Sequence, residues 1–113
     1  MSQKLRAVIT NVLGDRVLVF GEALEHTMSR HFALFPEAIV LELIERVLRE
    51  PSEIFEEKNK HIFHLFYRFD SKHYIVVIIK KIPDGSFFVT AYPTGKSHRL
   101  KHKNLKRIRY DKT

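Results

Sequence analysis

The spacing of apolar residues changes along the chain and divides it into segments of different predicted structure. Alternating apolar residues in LRAVITNVL and RVLVF, on either side of Gly14 and Asp15, predict two short strands joined by a hairpin turn. The next segment, GEALEHTMSRHF, is rich in helix-forming residues and is predicted to form a short helix with Gly21 as its N-cap. In FPEAIVLELIERVLREP, apolar residues recur every four positions, which predicts a second helix that ends before Pro51. The predicted buried stripe of this helix consists of Ile39, Val40, Leu43, Ile44, Val47 and Leu48.

After Pro51 the period of the apolar residues changes to two. Four segments are predicted to be consecutive strands: EIFEE, HIFHLFYRF, HYIVVIIKK and SFFVTAYP. The short connections KNK, DSK and PDG predict an antiparallel meander, and IVVII, apolar at every position, predicts a central strand that is covered on both faces. The predicted fold class is therefore α+β, with an N-terminal strand pair, two helices and an antiparallel sheet of about four strands. Residues 1–95 are predicted to form one domain, and residues 96–113 a basic arm that is mobile unless bound.

The charge of the chain is unevenly distributed. The net charge is +7, but residues 1–57 carry 6 Lys/Arg and 10 Asp/Glu, whereas residues 58–113 carry 14 Lys/Arg and 3 Asp/Glu. Such a polarised field attracts polyanions and favours a nucleic-acid partner, although a solvated basic tail is the plainer alternative. A membrane partner is not expected, because the chain lacks a basic amphipathic helix and its longest apolar run, Tyr74 to Ile79, is too short to span a bilayer. The absence of cysteine fits a reducing, cytoplasmic compartment.

Seven histidines raise the question of a metal site. His26 and His31 are five positions apart on a predicted helix, which separates them by about 140° and prevents joint ligation. His61 and His64 are three apart on a predicted strand and point to opposite faces. No metal and no other cofactor is therefore expected.

Acid–base catalysis is a better use of histidine, which titrates near neutral pH. RNA carries its own nucleophile, the 2′-OH, so cleavage requires a base, an acid and cations that stabilise the phosphorane. The segment HTMSRH supplies two imidazoles and a guanidinium, from His26, His31 and Arg30, and places His26 and Arg30 on one helix face. The plain alternative is that these are ordinary exposed residues of an amphipathic helix.

A second group of candidate residues lies on the predicted strands. Thr90 and Tyr92 point to one face of their strand, where a threonine hydroxyl can hold a phosphate oxygen and a tyrosine can stack on a base. Arg68, Lys80 and Lys81 are cations near strand ends. A three-residue PDG loop would place Lys80 on the Thr90 face, and a two-residue loop would place Lys81 there. The sequence leaves both alternatives open.

Taken in order, five segments carry a resemblance to a known superfamily: HTMSRH, REPSEI, FYRF, HYIVVIIKK and TAYPTGK. Over roughly residues 5–95 the chain resembles the barnase/EndoU/colicin/RelE-like nucleases, and among them the branch associated with phages and mobile elements. TAYPTGK is the most specific segment of the resemblance. The chain departs from the pattern at Phe32, where proline usually follows the histidine, and at Thr27, where a large aliphatic residue is usual.

The resemblance implies a metal-independent endoribonuclease, often a toxin or effector aimed at tRNA or mRNA, that leaves a 2′,3′-cyclic phosphate. An acidic antitoxin or immunity protein would cover the positive surface of such a toxin. By motif match, the catalytic residues would be His26, Arg30, His31 and Thr90. The residues that bind substrate would be Arg68, Lys80, Lys81, Tyr92 and Lys96. The alternatives are a module that holds RNA or DNA without cutting it, and a protein-interaction domain whose basic half docks an acidic partner.

Overall fold

The computed structural model describes residues 4–57, 60–95 and 105–110, which form two helices and a seven-stranded sheet. In chain order the elements are β1 (Leu5–Thr10), β2 (Arg16–Phe20), α1 (Gly21–His31), α2 (Glu37–Arg49), β3 (Glu53–Glu57), β4 (Ile62–Arg68), β5 (His73–Ile82), β6 (Gly85–Gly95) and β7 (Leu105–Ile108). The strand order across the sheet is β1-β2-β6-β5-β4-β3-β7. The α+β class is confirmed, and the meander β3-β4-β5-β6 follows the predicted segments closely.

The N-terminal strand pair belongs to the same sheet as the meander. Val17 and Leu18 of β2 pair in parallel with Ser86 and Phe87 of β6. The two backbones approach so closely that a Cβ on Gly85 would lie 2.7 Å from the carbonyl oxygen of Arg16, and Gly85 has a φ of +143°. Glycine therefore permits this contact. The predicted count of about four strands beside a separate pair is wrong, because β2 pairs with the strand edge that β6 would otherwise leave open.

The opposite edge of the sheet is formed by part of the predicted basic arm. β7 pairs antiparallel with β3, with Ile108 opposite Ile54 and Leu105 opposite Glu57. Ile108 packs against the main core, and the Tyr110 hydroxyl donates a hydrogen bond to the carbonyl of Pro51. For residues 105–110 the prediction of a mobile arm is wrong, because these contacts and the pairing of the β3 edge order the segment. The rest of the arm, Lys96 included, lies outside the described residues.

Helix α2 packs on one face of the sheet and forms the main core. Its buried side is centred on Val40, Ile44, Val47 and Leu48. Ile39 is 44% exposed and was wrongly predicted to be buried, because a row of every fourth residue drifts around a helix of 3.6 residues per turn. Neither helix in the described part of the chain is long and apolar enough to cross a membrane.

Strand β5 is the fourth of the seven strands and contributes to both faces, as its apolar sequence predicted. Ile75, Val77 and Ile79 face α2, whereas Tyr74, Val76 and Ile78 face the other way. On that side they lie with three aromatic side chains of neighbouring strands, Phe55, Phe66 and Tyr92. We call this side of the sheet, opposite α2, the second face.

Helix α1 lies beside β6 and contacts both sides of the sheet. Leu24 and Phe32 join the main core, while Thr27 reaches Thr90 of the second face. The N-cap is Phe20 in an extended conformation, and not Gly21 as predicted. Gly21 is buried as the first helical residue, and its N–H donates to the carbonyl of Lys4.

Candidate functional site

A β-bulge in β6 decides which side chains share the second face. Ile78 lies opposite Thr90, but Ile79 lies opposite Phe88, so Val89 is an extra residue in β6. A bulge reverses the alternation of side chains on one strand relative to its partner. Thr90 and Tyr92 are thereby placed on the second face with Ile78, while Phe88 is buried in the main core.

The bulge also settles which lysine accompanies Thr90. The loop between β5 and β6 contains two residues, since Ile82 pairs with Gly85. Sequence reasoning associated a two-residue loop with Lys81, but the bulge restores the alternation and places Lys80 on the Thr90 face. Lys81 points to the other face, where its ammonium lies 3.8 Å from the carboxylate of Asp15.

The register of the five strands β6, β5, β4, β3 and β7 aligns residues in rows across the second face. One row runs Thr90, Ile78, His64, Phe55, Arg107. The row on one side runs Lys80, Ile62, Glu57, Leu105. The row on the other side begins Tyr92, Val76, Phe66. Neighbouring positions in a row are about 5 Å apart, and neighbouring rows about 7 Å apart, so these side chains surround one area of the sheet.

The hydroxyl of Thr90 is held by helix α1. Its Oγ1 lies 3.3 Å from the Oγ1 of Thr27, which is fully buried, and one of the two hydroxyls donates to the other. Thr27 is therefore the residue that positions the Thr90 hydroxyl.

Further along the same two elements, His31 of α1 contacts Tyr92 of β6. Their ring centroids are 5.8 Å apart and the rings are tilted by 44°. His31 is exposed, whereas Tyr92 is half-buried. Burial raises the pKa of Tyr92, and the negative charge of Glu57 raises it further. The structure thus brings His31, Thr90 and Tyr92 together, and it places the Glu57 carboxylate within electrostatic reach of the Tyr92 hydroxyl.

A histidine–carboxylate pair occupies the middle of this area. His64 Nε2 lies 2.7 Å from Glu57 Oε2. His64 is 4% exposed, while the Glu57 side chain is 25% exposed. Sequence reasoning missed this pair. The available signals were a histidine within an otherwise apolar strand and a carboxylate ending the strand before it, but the register that joins them depends on the connection between β3 and β4.

The remaining candidate residues lie around this area. His26 is exposed and lines a groove with Phe87 and Val89, so it lies farther along β6 from Tyr92 than His31 does. Arg30 is exposed in the last turn of α1, about 100° around the helix from His31. Arg68 is at the end of β4, where its Nε donates to the carbonyl of Asp70. Because Arg68 and Lys80 are at opposite ends of the β4–β5 ladder, about 20 Å separates them.

The donor set of the site suits proton transfer and phosphate binding. It contains an imidazole at the surface, a carboxylate backed by a buried imidazole, a fixed hydroxyl and an ammonium. Within residues 4–57, 60–95 and 105–110, no three His, Asp or Glu side chains are grouped so that they could hold a metal ion. Comparison of the chain with models of protein families, with curated proteins and with solved structures found no match.

Proposed function

We propose that this chain is an endoribonuclease that cleaves RNA through the 2′-OH with side chains alone. The observation that carries the proposal is the grouping of His31, Thr90 and Tyr92 with the Glu57–His64 pair on one face of a basic protein. Each group matches a requirement of transesterification: a base, an acid, and donors for the charge that develops on the phosphorane.

In the proposed reaction, the Glu57 carboxylate takes the proton of the 2′-OH, and the 2′-oxygen attacks the adjacent phosphorus. The bond from phosphorus to the 5′-oxygen breaks, and that oxygen receives a proton from the imidazolium of His31. The products are a 2′,3′-cyclic phosphate and a free 5′-OH. His64 acts as a positioning residue, because its ring holds the Glu57 carboxylate at 2.7 Å and is itself fixed by burial.

Lys80 and Thr90 are assigned to the phosphate. Lys80 lies in the same row as Glu57, two strands away, and therefore about 10 Å from it along the sheet. Thr90 lies in the next row, with its hydroxyl fixed by Thr27. A phosphate between them would have Glu57 on one side and His31 on the other. His26 and Arg30 are assigned to neighbouring phosphates, because they lie on an adjacent strip of α1.

The net charge of +7 supports RNA as the substrate class, because a positive surface attracts the phosphates of a nucleic acid whatever its base sequence. The resemblance to RelE-like and colicin nucleases suggests a toxin or a phage or mobile-element effector that acts on tRNA or mRNA in the cytoplasm. In that setting an acidic antitoxin or immunity protein would cover the second face.

The test is incubation of the purified chain with total tRNA and with mRNA in EDTA, followed by mapping of the RNA ends. Discrete fragments with 2′,3′-cyclic phosphate ends are expected from the wild type, and a loss of about 10²-fold or more in rate is expected for Glu57→Gln and Thr90→Ala. Wild-type protein that shifts RNA in a gel without cutting tRNA, mRNA or ribosome-bound RNA would overturn the enzyme and favour the binding module. Inhibition by EDTA that a divalent metal reverses would overturn the proposed mechanism.

A further inference from the structure

An apolar cavity of about 400 Å³ lies on the α2 side of the sheet and meets the candidate site of the second face at His31. Aliphatic side chains of α2 and β5 form its floor. The remaining lining residues are His31, Phe32, Phe35, Tyr67, Phe69 and Pro93. We call this cavity the aromatic pocket. Two residues connect it to the site: His31 lines the pocket and contacts Tyr92, and Pro93 follows Tyr92 in β6.

Two phenylalanines stand half-exposed at the pocket. Phe35 is 48% exposed and Phe69 is 51% exposed. Large aromatic side chains left in water indicate a surface that is used for contact when they adjoin a concave apolar site. The ring of Phe35 is further braced by Phe32, whose centroid is 6.0 Å away.

Phe69 is held in place by a hydrogen-bonded turn. Its ring stacks on His73, with centroids 5.8 Å apart and planes 23° apart. The His73 ring is fixed by the Asp70 carboxylate, 2.8 Å from its Nδ1, and the same carboxylate accepts the backbone N–H groups of Lys72 and His73. These bonds, that of Lys72 above all, lower the pKa of Asp70. Phe69 lines the pocket, whereas His73 does not. The part of the Phe69 ring that His73 does not cover therefore faces the cavity.

Three cations are neighbours in the chain of the residues that line or brace the pocket. Arg30 precedes the lining residues His31 and Phe32, and Arg68 precedes Phe69. Lys72 lies on the turn that holds Phe69, while the one carboxylate of that turn, Asp70, is bonded to His73. An apolar aromatic pocket on a protein of net charge +7 fits a flat neutral ring carried on a chain of phosphates.

We infer that the aromatic pocket receives one unstacked nucleobase of single-stranded RNA, with His31 between this base and the phosphate assigned to Lys80 and Thr90. This inference rests on the proposed function and names its substrate class: unpaired RNA, such as loops and ends. A base inside a duplex is stacked on both sides and unavailable to the pocket. Because the lining is apolar, recognition is by stacking on the π-face, which every base has, so sequence preference is weak.

The test uses an oligonucleotide that the proposed enzyme is unable to cut, with 2′-O-methyl in place of each 2′-OH. Affinity is measured by fluorescence anisotropy for wild type, Phe35→Ala and Phe69→Ala. Leu34→Ala is the matched control, because Leu34 is on the same loop as Phe35, is 95% exposed and does not line the pocket. Phe35→Ala and Phe69→Ala are each expected to weaken binding about 10-fold, as for loss of a base-stacking side chain, with Leu34→Ala unchanged.

A set of the same oligonucleotides, each with one abasic position, identifies the occupant. One abasic position is expected to weaken binding to wild type by about as much as Phe69→Ala weakens binding of the intact strand. Phe69→Ala is then expected to have little further effect on that abasic strand, because the same contact has already been lost. Thermal unfolding of each variant verifies that the fold is intact.

The outcomes separate the pocket from the enzyme. Equal affinity of wild type, Phe35→Ala and Phe69→Ala would overturn the inference and leave the pocket to a protein ligand, whether or not the chain cuts RNA. An equal loss for intact and for every abasic strand would overturn it as well. If Phe69→Ala has little further effect on the abasic strand but the wild type never cuts RNA, the proposed catalysis is overturned and the base-binding pocket stands.

Discussion

Thr90 lies opposite Ile78 across β5 and β6, one residue out of step with the pairing of Ile79 and Phe88. This single extra residue determines the composition of the candidate site. Without it, Thr90 and Tyr92 would point into the main core, and Val89 would take the position on the second face. Bulges are frequent beside active sites for this reason, since they redirect a side chain without breaking the strand.

Lys80 and Lys81 provide a matched pair for the phosphate contact. Lys80→Ala is expected to weaken RNA binding and to reduce the slope of log affinity against log salt by about 1, because one phosphate contact is lost. Lys81→Ala removes the same charge from the other face and should affect the slope less. The measurement is a salt titration of RNA affinity between about 50 and 200 mM, where wild type should lose on the order of 10³ in affinity for six or more contacts. If Lys80→Ala and Lys81→Ala have the same slope of log affinity against log salt, Lys80 is not the phosphate contact of the site.

His31 and His26 provide a second matched pair, on the same helix. His31→Ala is expected to lower kcat about 10²-fold or more, because the proposed acid is lost. His26→Ala is expected to change kcat less and KM more, since His26 lies beside Phe87 and Val89, farther along β6 from Tyr92. Single-turnover cleavage and its pH profile measure both effects. A larger loss of kcat in His26→Ala than in His31→Ala would exchange the two roles.

The proximity of Glu57 to Tyr92 is testable without any activity. Burial and the Glu57 charge raise the pKa of Tyr92, and Glu57→Gln removes the charge while leaving the burial. The pKa of Tyr92 in Glu57→Gln is therefore expected to fall toward, but not to, its ordinary value of 10.0.

The measurement is the ¹³Cζ chemical shift of Tyr92 against pH. The raised pKa of Tyr92 also makes the free energy of unfolding depend on pH. Because the folded pKa of Tyr92 is above the unfolded value, its contribution is complete below pH 10.0 and is lost as the pH rises through the folded pKa. A Tyr92 pKa that is the same in both proteins would show that Glu57 is not close to the hydroxyl.

The helix phase of α2 is tested by two isoleucines of different burial. Ile44 is 1% exposed and Ile39 is 44% exposed. Ile44→Asp would bury an unpaired carboxylate and is expected to cost several kcal/mol, enough to prevent folding of a domain of this size. Ile39→Asp should change the melting temperature little. Circular dichroism during thermal unfolding distinguishes them, and an intact Ile44→Asp would contradict the assigned core.

Local patterns predicted most of the fold, because each period is set by neighbours in the chain. The continuous apolar run IVVII in HYIVVIIKK gave the central strand, and the four-residue recurrence gave α2. The pairings of Val17 with Ser86 and of Ile54 with Ile108 were not predicted, since they join segments more than fifty residues apart and depend on which edge each strand meets.

The candidate site was predicted only in part, because some of its residues are brought together by strand register and a bulge that local patterns do not reveal. Of the residues that the sequence proposed, His31, Thr90 and Tyr92 lie together in the structure, whereas His26 and Arg30 lie beside them on α1. The choice between Lys80 and Lys81 depended on a bulge, which no periodicity of the sequence reveals. The Glu57–His64 pair depended on the register of a hairpin. One residue of slippage there would move His64 to the other face of the sheet.

Some strand pairings join neighbouring segments and others join distant ones, and this difference affects the order in which the site forms during folding. The meander β3-β4-β5-β6 closes through consecutive hairpins, so Glu57, His64 and Thr90 can meet early in folding. The pairing of β2 with β6 encloses a long stretch of chain and is entropically slow. Since α1 follows β2 directly, His31 is expected to reach Tyr92 only when that long-range closure is complete. A catalytic acid supplied by the last-docking element would leave the nascent chain unable to cut RNA until it is folded.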